Sequence, residues 1–79
     1  MRAVVHVFLK PGVLDVQGKA VEGALHHLGW PGVSNVRIGK VIELEIASDS
    51  REAAEAHVQS MCEALLANTV IEGYRAEIA

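Results

Sequence analysis

Residues 36–46 read Val36-Arg37-Ile38-Gly39-Lys40-Val41-Ile42-Glu43-Leu44-Glu45-Ile46, and the fold turns on this run. Its even positions hold Val36, Ile38, Ile42, Leu44 and Ile46, while Arg37, Glu43 and Glu45 fall on odd positions. Successive side chains of a strand point to opposite faces, so this alternation predicts a long strand with one buried face. Gly39-Lys40 interrupts it, because Lys40 lands on the apolar side. Glycine inside a strand often marks a bulge or bend, so one long bent strand and two shorter strands both fit. Either way the segment reaches beyond the core of so small a chain and offers surface to another subunit.

Helical spacing appears on both sides of that strand. Upstream, Val21, Leu25 and Leu28 recur with Ala20 and Ala24 beside them, which predicts a helix over about 15–29. Asp15 stands where an N-cap belongs, and Gly29 with Pro31 stops the helix. Before it, residues 3–9 are rich in valine and end at Lys10-Pro11-Gly12, a strand followed by a turn. Downstream, Ala54, Val58, Met61 and Leu65 form an apolar stripe flanked by Cys62 and Leu66. Asp49 and Glu52 resemble a capping box before this second helix, and Asn68 suits its end. A last strand over about 70–78 places Tyr74, Ala76 and Ile78 on one face. The order is β-α-β(β)-α-β, and the expected class is α+β. Two helices are expected to pack on one face of a small antiparallel-rich sheet, a relative of the split βαβ unit.

Length and composition narrow the function classes. Seventy-nine residues make one domain, expected over 1–79. Phe8, Trp30 and Tyr74 are the only aromatic residues, so the core must come from aliphatic side chains that bury less area each. A domain this small is marginal alone, and the remedies are disulfides, structural metals or association. The single cysteine, Cys62, rules out an intrachain disulfide, and association is the remedy left. The net charge of −3, with both signs interspersed, argues against a nucleic-acid partner. The apolar start at residues 3–9 is too short to span a membrane and lacks the cleavage site of a signal peptide. A cytoplasmic protein without a membrane partner is the expectation.

Few residues suggest chemistry. His26 and His27 are adjacent on a helix and diverge by about 100°, unlike a chelating i,i+4 pair. His6 and His57 lie on other elements, and Cys62 adjoins an apolar stripe as a structural thiol would. Gly39-Lys40 lacks the preceding glycine and the following Ser or Thr of a phosphate loop. Glu43 and Glu45 share a strand face with no pocket-forming residues around them. No catalytic, metal or cofactor constellation emerges, and the reading is a small module without an active site.

Three segments together resemble the PurS family of phosphoribosylformylglycinamidine synthase subunits. They are Leu9–Val21 with Ala24-Leu25 and Leu28-Gly29, then Val36–Lys40 with Glu43-Leu44, then Leu65–Glu72 with Tyr74. Val16 and Thr69 stand where the family usually has proline. The resemblance implies an accessory subunit of a glutamine-dependent, ATP-using ligase complex of purine biosynthesis. Its partners would be a glutaminase subunit (PurQ) and a synthetase subunit (small PurL). The chain would form a homodimer, and a tetramer is open. ATP and Mg would be used by the complex, with none bound by this chain. Its role would be to bridge the two partners and assist ammonia transfer between them. The candidate partner interface is Lys10, Asp15, Gln17, Lys19, Arg37, Lys40, Asn68, Glu72 and Tyr74. The alternative is an ACT-like dimeric domain that binds a small regulatory molecule.

Overall fold

Ala3, Val5 and Val7 alternate along β1 (Arg2–Leu9) and are buried, so this strand supplies the centre of the core. The computed structural model describes residues 1–79, and β1 is followed by α1 (Val16–His27), β2 (Lys40–Glu45), α2 (Arg51–Met61) and β3 (Glu72–Ile78). The strands form one antiparallel sheet in the order β2-β1-β3. Register sets the two faces: Val5 lies opposite Ile42 and Ala76, and Val7 opposite Lys40 and Tyr74. On the other face Val4 lies between Glu43 and Glu77, and His6 between Val41 and Arg75. The class is α+β with three antiparallel strands and two helices, as the sequence predicts.

The paired part of the alternating segment is shorter than its pattern. Pairing with β1 begins at Lys40, and residues 36–39 continue extended without a strand partner. At Gly39 a Cβ would sit 2.7 Å from the Val7 carbonyl oxygen, so the chain leaves the sheet where only glycine fits. Lys40 does point to the inner face, but at the open end of the sheet where its ammonium stays exposed.

α2 covers the inner face. Ala54, Val58 and Cys62 are completely buried against β1 and Ile78. After Met61 the helix widens into a π-helical turn, Cys62–Leu66, closed by the Ala67 N–H donating to the Cys62 carbonyl at 3.0 Å. This turn carries the apolar stripe onto Leu66, leaving Leu65 82% exposed, so Met61 and Leu65 are not the core positions that spacing predicts. The cap also differs from expectation. Ser50, not Asp49, accepts the Ala53 N–H through its hydroxyl at 3.1 Å.

α1 behaves differently: it makes no extensive contact with the sheet, and Gly18 is its single buried residue. The expected packing of two helices on one face is met within the chain by α2 alone. The reason is topological. β1 and β2 are antiparallel neighbours, so the chain leaves and returns at the same end, and the helix between them need not cross the sheet. β2 and β3 flank β1 in parallel, which forces α2 to run back across the face. α1 therefore projects past the sheet, giving a molecule 51 Å long with a radius of gyration of 15.9 Å. A compact chain of this length would have about 12 Å.

Two stability tests follow from the caps. Ser50→Ala is expected to lower unfolding free energy by about 1 kcal/mol, and Asp49→Ala to change it by less than about 0.5 kcal/mol, both read by urea titration. Val16 is the first residue of α1, is 71% exposed, and follows an extended Asp15. Val16→Pro should therefore raise stability by about 0.5 kcal/mol by restricting the unfolded chain, read in the same titration.

Candidate functional site

Asp15 joins the projecting helix to the rest of the chain. Its carboxylate is buried and accepts the Gly18 N–H at 2.6 Å through Oδ1 and the Ile38 N–H at 2.7 Å through Oδ2. One oxygen caps α1 while the other holds the unpaired extension of β2. Two further contacts continue the brace along the helix. Glu22 Oε1 accepts the Val36 N–H at 3.3 Å, and the His26 Nε2 lies 2.6 Å from the Val33 carbonyl oxygen. A carbonyl only accepts, so that ring nitrogen carries its proton. α1 and residues 33–38 thus form one arm, with the helix lying antiparallel to the returning chain. The approach is close: a Cβ on Gly18 would lie 2.2 Å from the Val36 carbonyl oxygen.

The arm meets the sheet at a cluster of loops. The Lys10 ammonium donates to the Thr69 carbonyl at 2.7 Å, and its backbone N–H donates to the Ile71 carbonyl at 2.8 Å. The Arg37 guanidinium donates to the carbonyls of Val13 at 3.0 Å and Lys10 at 3.2 Å. Asn68 shapes the facing turn: its side-chain oxygen accepts the Val70 N–H at 3.2 Å, and its own N–H donates to Glu72 Oε1 at 2.7 Å. Residues 10–15, Arg37 and 68–72 are therefore bound together at one end of the sheet, where the arm begins. A shallow cavity of about 270 Å³ opens there, lined by Phe8, Asp15, Gln17, Ile38, Lys40 and Glu72 among others.

Most of the sequence-derived interface residues converge on this end, but several have structural duties. Lys10, Asp15, Arg37, Asn68 and Glu72 are engaged in the bonds above. Gln17 and Lys40 border the cavity with exposed side chains that have no hydrogen-bonding duty. Lys19 lies on α1, exposed and 3.9 Å from Glu22. Tyr74 lies on β3, half-buried against the core beside Cys62. Burial and a hydrogen bond with Glu63 push its hydroxyl above the usual phenol range. Burial, then the Glu63 charge, likewise raises the Cys62 thiol, which suits a packing role better than a nucleophile. Sequence reading missed the braces from Glu22 and His26, since both contacts depend on where the returning chain lies.

The hydrogen bonds from Ile38 and Gly18 hold Asp15 below the ordinary carboxylate range, against the opposing effect of burial. A depressed folded-state pKa stabilises the fold above the unfolded value and loses that contribution as pH falls through the folded one. Stability should therefore decline below about pH 4, and the decline should be shallower in Asp15→Asn, measured by denaturant midpoints across pH 2–7. Gly18→Ala should speed hydrogen exchange at the Val36 and Ile38 amides while leaving the β1 amides protected.

The family model described as PurS, phosphoribosylformylglycinamidine (FGAM) synthase, matches residues 2–79. The PurS subunit of this synthase from Bacillus subtilis is 53% identical over 74 residues, covering 94% of this chain and 87% of the relative. A crystal structure of B. subtilis PurS superimposes with a TM-score of 0.86 at 51% identity, covering 96% of this chain and 94% of that one. A chain in the structure of PurLQS from Thermotoga maritima gives a TM-score of 0.88 at 32% identity, covering 96% of this chain and 93% of that one. With the match spanning both the sheet and the projecting arm, the chain belongs to the PurS family, subunits of phosphoribosylformylglycinamidine synthase in purine biosynthesis.

Proposed function

We propose that this chain is a non-catalytic part of the synthase, holding a glutaminase subunit (PurQ) and an ATP-dependent synthetase subunit (small PurL) together. It works as a homodimer, and ammonia released from glutamine passes to the synthetase within the assembly. The observation that carries this reading is the likeness along the whole chain to a component of the T. maritima PurLQS structure. The chemistry supplies the need for such a part. Ammonia is mostly protonated near neutral pH, and ammonium is not a nucleophile, so transfer between two sites requires shelter from water. ATP and Mg act on the synthetase subunit. This chain contributes surfaces: the loop-rich end with Gln17 and Lys40 exposed beside its cavity, and the length of its arm.

The test is reconstitution of amidine formation from glutamine and, separately, from added ammonium, with and without this chain. Its omission should abolish most of the glutamine-dependent rate and change the ammonium-dependent rate little. Equal glutamine-dependent rates with and without the chain would refute the proposal. Charge reversal at Lys19 and Lys40, both exposed, should weaken assembly with the partner subunits in sedimentation without shifting this chain's own melting temperature. Arg37→Glu is a poorer probe, because it also removes two contacts that hold the Lys10–Val13 loop.

A further inference from the structure

The cavity at the root of the arm gathers polar groups that the brace and the loops leave free. Register places Lys40 opposite Val7 and Glu72 opposite Leu9, so both project from the inner face, one on each side of β1. Neighbouring strands lie about 4.8 Å apart, which separates the two backbones by about 10 Å across β1. The two side chains form no ion pair, and Val7 and Leu9 line the cavity between them. Glu72 Oε1 accepts the Asn68 N–H, while its Oε2 has no partner. Gln17, from the first turn of α1, supplies an amide that can both donate and accept. Asp15 also lines the cavity, with each oxygen already accepting an N–H, and adds a second negative charge.

An apolar floor with a few convergent polar groups is the usual form of a small-molecule site. Charge selects the class of molecule. A simple anion drawn to Lys40 would meet two carboxylates, and a simple cation drawn to Glu72 would meet an ammonium. A molecule carrying both charges satisfies both sides. We propose that this cavity binds a small free amino acid, its ammonium on Glu72 Oε2 and its carboxylate on the Lys40 ammonium. The Gln17 amide then faces the side chain of the bound molecule. Size agrees. The volume of about 270 Å³ falls below the roughly 300–1,000 Å³ of drug-sized pockets, which suits one amino acid and not a peptide or a nucleotide. The site is shallow and open to water, so the expected Kd is on the order of 1 mM. Neither Lys40 nor Gln17 holds the arm in place, so occupancy adds a link between β2, β3 and the start of α1 without breaking the brace.

Titration of the intact, isotope-labelled chain with L-glutamine, followed by amide chemical shifts, tests the site. Saturable shifts should centre on Gln17, Lys40 and Glu72, with a midpoint on the order of 1 mM. Glutarate lacks the ammonium and 4-aminobutanamide lacks the carboxylate, so each should bind about tenfold more weakly or worse. Two variants address the protein's side. Lys40→Gln removes the ammonium, and Glu72→Gln removes the charge while keeping an oxygen for the Asn68 N–H. Each should weaken glutamine binding by about tenfold, with the dispersion of the spectrum showing that the fold is kept. No saturable shift up to about 50 mM overturns the site. Equal affinity for either analogue, or wild-type affinity in either variant, overturns it as well.

Discussion

The two-sided engagement of Asp15 is the contact on which the shape of this protein depends. One carboxylate oxygen satisfies an unpaired amide of the first turn of α1, and the other satisfies an unpaired amide of the β2 extension. Both amides lie at places where regular structure leaves donors free, and a buried carboxylate without such partners would be costly. Because each side answers the other's need, helix and strand are held together where there is no hydrophobic core to do it. Glu22 and His26 extend the same arrangement toward the tip. The arm is thus organised by polar contacts, whereas the body is organised by aliphatic packing.

That division follows from strand order. A helix connecting the two outer strands has to traverse the sheet, and α2 does so with Ala54, Val58 and Cys62 facing inward. A helix inserted between antiparallel neighbours is free of that requirement. Its apolar stripe looks the same in sequence, yet one stripe is covered by its own sheet and the other is left open. The open one gives a thin chain of small mass an elongated form and a reason to associate.

The strands and both helices are legible from periodicity and caps, including the stop at Gly29, where φ is 108°. Positions near the second helix are less so. Met61 and Leu65 fit an ideal helical stripe, but the π-helical turn moves the inward side to Cys62 and Leu66. Asp49 and Ser50 are both good cap residues, and only backbone geometry chooses Ser50. The candidate interface is legible in part. Residues with polar or turn character cluster at one end as their positions in the loops suggest, but Lys10 and Arg37 turn out to tie loops together through backbone carbonyls. Tyr74 alternates with the core face and packs partly against the core, as its place in the last strand predicts.

The sequence by itself determined the element order, the α+β class, the cap at Asp15 and the need for a partner, because these rest on local spacing and on composition. Tertiary structure alone decided where the alternating segment stops pairing. It also decided that α1 leaves the sheet and that Glu22 and His26 brace it. The reason is that a hydrophobic stripe records that a face is to be covered, and carries no information about which surface covers it. That depends on strand order and on the direction in which the chain re-enters the sheet.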